Sequence, residues 1–143
     1  MKAMGLVLIF LSLIAFVTPA AAYLNDVVVP TSAETGDTVI LLVLGDLPDP
    51  CWSIDSVTVT LEDMVATVDI TLVDDSGGAG CPQVIVPYEV YPELVFPAPG
   101  LWTIHVVDHG GYLPVGDWLG TINVTGEVPA EVETWDSIKA IYR

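Results

Sequence analysis

His105, Asp108 and His109 stand together in the stretch H-V-V-D-H. Two imidazoles and a carboxylate are ligand types for zinc or copper. The stretch follows L-W-T-I and runs into Gly110 and Gly111, so it reads as a strand entering a turn. On a strand at about 3.3 Å per residue, His105 and His109 stand about 13 Å apart. One ion does not bridge that distance, and the pair is expected as surface histidines beside a turn, not as a metal centre. Asp74, Asp75 and Ser76 in DDSGGAG, and Asp46 and Asp49 in GDLPDP, offer oxygen atoms to calcium. Calcium takes about six to eight such ligands, and neither loop has the regular acid spacing of a dedicated calcium loop. Solvated turn acids are the expectation, with calcium as the one ion kept in view and no cofactor otherwise expected.

The aromatic residues Tyr88, Tyr91, Tyr112 and Trp118 suggest a second chemistry. Flat rings on a face or loop stack on sugars, and neighbouring carboxylates accept from sugar hydroxyls; GGYLPVGDWLG is the best such loop. The competing account is core or edge cover. Catalysis finds little support. The chain has no Gly-x-Ser-x-Gly elbow and no phosphate loop, and its cysteines have no evident histidine partner. A carboxylate pair is the machinery of glycoside cleavage, but a chain this short, with most residues committed to one sandwich, leaves no evident cleft. The chain is expected not to be an enzyme.

The elements that position these residues are strands. GDTVILLVLGDLPDP places Val39, Leu41 and Val43 on one face. SIDSVTVTLED turns Val57, Val59 and Leu61 inward and Thr58 and Thr60 outward. MVATVDITLVDD sets Val68, Ile70 and Leu72 opposite Thr67, Asp69 and Thr71, with a hairpin turn expected at Glu62 and Asp63. LWTIHVV sets Trp102, Ile104 and Val106 inward. Period-2 patterning with turn residues every ten or so positions predicts an all-β, antiparallel sandwich of about seven to eight strands. Pro82, Pro87, Pro92 and Pro97 recur at even spacing, and a proline-rich strand is expected at an edge, switching or breaking there.

Composition narrows the partners. All 19 acidic residues follow the first 22 positions, and no Lys or Arg lies between Tyr23 and Gly126. Such a surface repels nucleic acid, whose binding rests on cationic contacts. It also repels anionic lipid and favours cations and basic partners. MKAMGLVLIFLSLIAFVTPAAA has one Lys, a short apolar run and small residues at Ala20 and Ala22, so residues 1–22 are expected to be a signal peptide. That segment is the only expected contact with a membrane, before cleavage. An exported chain with two cysteines, Cys51 and Cys81, suggests one disulfide.

GDLPDPCWSIDSVTV, then Cys81-Pro82-Gln83, Pro87-Tyr88-Glu89 and Pro99-Gly100-Leu101-Trp102-Thr103-Ile104, resemble secreted bacterial immunoglobulin-like β-sandwich domains of uncharacterised function. The resemblance runs from about Gly45 to Val107 and implies a Cys51–Cys81 bond; it implies no activity. Where that family has a Val-Asn-Gly turn, this chain has Val107-Asp108-His109-Gly110-Gly111.

The sandwich is expected over residues 23–126, followed by a linker at 127–133. A short amphipathic helix is expected over 134–143, with Thr134 as N-cap. Trp135, Ile138 and Tyr142 share one helical face, and Lys139 and Arg143 complement the C-terminal end of the dipole. These five residues are the candidate C-terminal interaction surface, and the ending resembles a tag on exported proteins of environmental bacteria. The sequence therefore points to a non-catalytic binding or structural module, secreted, periplasmic or at the cell surface, with an unknown protein or glycan partner. A carbohydrate-binding module is the alternative, and a small hydrolase stands third.

Overall fold

The structure is a computed structural model, and it describes residues 23–127 apart from 112. The expected signal peptide, the bulk of the linker and the C-terminal helix with Trp135, Ile138, Lys139, Tyr142 and Arg143 lie outside the described residues, as does Tyr112.

Ten strands form in chain order: β1 (Tyr23–Val28), β2 (Ser32–Glu34), β3 (Thr38–Ile40), β4 (Leu42–Leu47), β5 (Trp52–Glu62), β6 (Val65–Asp74), β7 (Val86–Val90), β8 (Glu93–Val95), β9 (Gly100–His109) and β10 (Gly116–Thr125). There is no helix among the described residues. One sheet has five strands in the order β2-β10-β9-β6-β5. A second has three, β1-β4-β7, and a two-stranded ladder joins β3 to β8.

The expected seven to eight strands become ten because two long segments each divide and a short strand, β2, forms at Ser32–Glu34. The 38–47 segment breaks at Leu41, whose N–H donates to the carbonyl of Pro92, 3.1 Å away. The 86–95 segment breaks at Tyr91 and Pro92. The proline-rich segment is thus an edge strand, β7, that breaks there and resumes as β8 along the same facing segment, with Val90 opposite Val43 and Glu93 opposite Ile40.

The antiparallel expectation fails at two ladders. β6 runs parallel to β9, and β10 runs parallel to β2. The β5–β6 and β9–β10 ladders are antiparallel. After β6 the chain crosses to the other sheet for β7 and β8 and returns as β9 beside β6. A long crossover frees the pairing from hairpin geometry, so a parallel register becomes available.

The hairpin turn falls one residue later than expected. Asp63 and Met64 both adopt positive φ, 48° and 64°, the geometry of a two-residue turn whose twist matches the flanking strands. Met64 packs against the core, and its methyl group occupies the space a Cβ on Gly100 would need.

Alternation produces the core as read. Val39, Leu41, Val43, Val68, Ile70, Leu72, Trp102, Ile104 and Val106 are all buried, joined by Phe96 and Leu94. The Phe96 and Trp102 rings meet at 5.2 Å in a tilted arrangement, and the Trp102 indole N–H donates to Ala98. Truncating a fully buried residue such as Ile70 removes about 2–5 kcal/mol.

Cys51 and Cys81 are bonded, with a Cα–Cα distance of 6.2 Å. The bond closes the loop that carries the β5–β6 hairpin. It is consistent with an extracellular location. Unreduced protein should show no free thiol by thiol-reactive labelling. Reduction should remove about 3–4 kcal/mol of stability in a denaturant titration, the chain-entropy value for a loop of this length; an unchanged midpoint would contradict it.

Candidate functional site

The candidate site begins with β7. Its residues Val86, Tyr88 and Val90 turn inward, and Pro87 and Glu89 turn outward. Tyr88 is only 6% exposed. It lies opposite Gly45 on β4, and its ring fills the space a side chain at Gly45 would take. Its hydroxyl donates to Oδ2 of Asp108 at 2.8 Å. Asp108 has no solvent exposure, and its Oδ1 accepts from the Gly116 N–H at 2.8 Å. A buried carboxylate is tolerated when both oxygens find donors. Burial first, then the hydrogen bond to Asp108, pushes the Tyr88 phenol well above its ordinary range. This network joins the three-stranded sheet to the five-stranded one.

That arrangement separates the H-V-V-D-H residues. Asp108 continues the inward row of Trp102, Ile104 and Val106, while His105 and His109 take the outer face. His105 Nε2 meets Asp117 Oδ1 at 2.7 Å, and His109 Nε2 meets Asp69 Oδ1 at 2.8 Å. The histidines are surface residues near the turn, as expected; the buried aspartate was not foreseen, although the parity of the strand pointed to it.

Asp46, Asp49, Asp74 and Asp75 each accept a hydrogen bond within the protein. Asp49 is buried and accepts from the Cys51 N–H, and Asp46 accepts from the Asn25 amide. Asp74 accepts from the Ser76 N–H, and Asp75 from the Ser53 hydroxyl. Among the described residues, the grouping of three potential metal ligands is Asp49, Cys51 and Cys81. The disulfide withdraws both sulfurs from it as thiolate ligands.

The aromatic candidates divide by burial. Tyr88 is committed to the interior and offers no face to a sugar, which corrects that reading. Trp118 is half-buried, packs on the core and lies over Gly120, so it covers the sandwich instead of forming a platform. Tyr91 is 59% exposed, because it continues the outward row of Pro87 and Glu89, which runs on to Glu93 and Val95. Its hydroxyl donates to Glu89 Oε2 at 2.8 Å. That bond and the charge of Glu89 raise the Tyr91 phenol above its ordinary value.

Two open grooves meet at Tyr91. The larger, of about 490 Å³, is lined by Val57 and Val59 of β5 and by Glu89, Val90, Tyr91, Pro92 and Glu93. The smaller, of about 320 Å³, runs along Val28, Val29, Pro30, Ile40 and Leu42. The surface around Tyr91 is thus apolar, with two carboxylates at its rim. Alternation alone predicts Val57 and Val59 as core residues. They do point inward, but Val57 is 36% exposed, and only the relative width of the layers reveals it.

Tyr88→Phe leaves the buried Asp108 oxygen without its donor. The variant should lose about 1–3 kcal/mol in denaturant melts. A group whose pKa is raised on folding contributes stability that is fully present below its unfolded value. Here that contribution is lost as pH rises above about 10, the ordinary tyrosine value. Wild-type melting temperature should fall above that pH, and Tyr88→Phe should show a shallower decline. An equal slope in both proteins would contradict this account.

A family model matches residues 41–113 of the chain, and its description is the ORF11 beta-sandwich domain. The match begins at Leu41, where the chain enters β4, and ends at Leu113, beyond β9. It therefore holds both cysteines, the Tyr88–Asp108 pair and the groove of Tyr91. No curated protein and no solved structure matches the chain. The two-layered β structure and this match agree, and the chain belongs to the ORF11 beta-sandwich domain family.

Proposed function

We propose that the protein is an exported, non-catalytic binding module of the cell envelope or extracellular space, and that the groove around Tyr91 is its ligand-contacting surface. The observation that carries this reading is the groove itself. It combines an exposed phenol, aliphatic walls from Val57, Val59 and Val90, and a rim of Glu89 and Glu93. Apolar walls with a few placed polar groups are the usual make-up of a binding site. The disulfide supports export. The non-catalytic reading is supported by the separation of reactive groups: both histidines stand on the outer face of the five-stranded sheet, paired with aspartates, while the groove opens from its inner face.

A carbohydrate ligand is the second reading. It is favoured by one observation, the exposed Tyr91 ring beside two carboxylates that accept from hydroxyl groups.

Both readings turn on Tyr91. Tyr91→Ala should leave stability within about 0.5 kcal/mol, as exposed substitutions do. Titration of a glycan panel and a basic-peptide panel against isotope-labelled protein should move the Tyr91 and Val57 resonances, and Tyr91→Ala should weaken that binding about tenfold or more, a loss of about 1.4 kcal/mol. Shifts confined to the outer face around His105 and His109 would overturn the assignment.

A further inference from the structure

The groove exists because the two layers differ in width. Val57, Val59 and Leu61 pair across the β5–β6 ladder with Ile70, Val68 and Ala66. Residues directly opposite one another share a face, so all six side chains point inward. The β6 members are fully buried, yet Val57 is exposed and Val59 and Leu61 are half-buried. Their direction is the same; what changes is the cover. The three-stranded sheet ends at β7, which pairs only with β4, and β5 extends past it. Strands within a sheet lie about 4.8 Å apart and stacked sheets about 10 Å apart. The uncovered surface is therefore one strand's place, beside β7 and above β5.

From this geometry we infer that the groove receives an extended segment of a partner protein, which adds as a fourth strand to the free edge of β7. The inference rests on the groove being the ligand-contacting surface. Strand addition draws affinity from main-chain hydrogen bonds and selectivity from alternate side chains. The bound segment sets apolar side chains at every second position over Val57 and Val59. The intervening positions meet Glu89 and Glu93 at the rim. Those positions are basic, because the body from Tyr23 to Gly126 contains no Lys or Arg to neutralise the rim from within. A second copy of the same groove brings the same carboxylates face to face and is disfavoured for that reason. Pro87 on β7 offers a carbonyl and no N–H, so the ladder is incomplete at that position. Such a proline also discourages indiscriminate edge pairing. The length of β7, five residues, sets the length of the segment.

The probe is a synthetic peptide of alternating valine and lysine, capped at both ends, titrated against the isotope-labelled full chain. A control peptide carries N-methyl groups on the amides along one edge, which removes donors without altering charge. Oligosaccharides of two to six units form a separate series. The expected result is that the valine–lysine peptide shifts the Val57 and Val59 methyls and the amides of Glu89 to Tyr91. The N-methylated peptide should bind about tenfold more weakly or worse, and so should wild-type peptide to the double variant Glu89→Lys, Glu93→Lys. Equal binding of the N-methylated peptide would leave charge attraction alone and overturn strand addition, as would peptide shifts that gather away from β7. Response of the groove to oligosaccharides but not to either peptide would overturn the inference and leave the groove as the binding surface. Silence at Tyr91 toward every probe would overturn both. The N-methylated peptide leaves the protein unaltered, so this comparison holds even if the double variant fails to fold.

Discussion

A carboxylate without access to water is stable only where donors reach its oxygens, and Asp108 has the Tyr88 hydroxyl and the Gly116 N–H. The two donors come from different sheets. To reach Asp108, Tyr88 must cross the interior from the three-stranded layer, and its ring must lie across Gly45, where any larger side chain would collide. Gly116 is likewise pressed against the Asp108 carboxylate. The requirement of one buried charge thus fixes two glycines, one ring and the position of β7. The residues that follow, Val90, Tyr91 and Pro92, then become the wall of the groove. An unpaired Asp108 would remove the anchor of β7 as well as an internal hydrogen bond.

With β7 fixed, the layers cannot match in width. Five strands face three, and the edge of β5 is left partly bare on its inner side. Exposed apolar side chains beside a free edge favour unwanted pairing, and the molecule carries restraints against it. The β5–β6 ladder slips at Asp55, which twists the outer strand locally. On the facing side Pro87 removes a donor from β7. These features limit the opening without closing it, since Val57, Val59 and Tyr91 stay accessible between them.

The fold was legible wherever side-chain parity decides burial. Trp102, Ile104 and Val106 on β9, and Val68, Ile70 and Leu72 on β6, follow the period of two without exception. Asp108 follows it too, but its chemistry argued for an outward position, because a partner on another strand is invisible along the chain. Val57 shows the opposite limit: parity gave its direction correctly, and burial depended on how many strands the other layer supplies. The parallel pairing of β6 with β9 was illegible for a similar reason, since it depends on the crossing through β7 and β8 between them. For the site, the stretch P-Y-E-V-Y held both outcomes. Tyr88 shares parity with Val86 and Val90 and is buried; Tyr91 shares parity with Pro87, Glu89 and Glu93 and is exposed.

In the binding proposed for the groove, charge and shape act at different stages. Within the body, the two histidines are engaged with Asp117 and Asp69 on the outer face, on the side away from the groove. The carboxylates at the rim of the groove have no Lys or Arg of the body to answer them. Their field extends about a Debye length, roughly 8–10 Å at ordinary ionic strength, and draws basic segments in while turning acidic ones away. Such a field governs encounter more than residence. Residence falls to the contacts made after desolvation, which are the aliphatic surface of Val57, Val59 and Val90 and the ring of Tyr91. Solubility accounts for an acidic surface in general, but it does not account for an apolar trough set within that surface beside a free strand edge. A carboxylate rim opposes the approach of a second identical trough, so the charge proposed to select a basic partner would also act against pairing of the uncovered strand with its own kind.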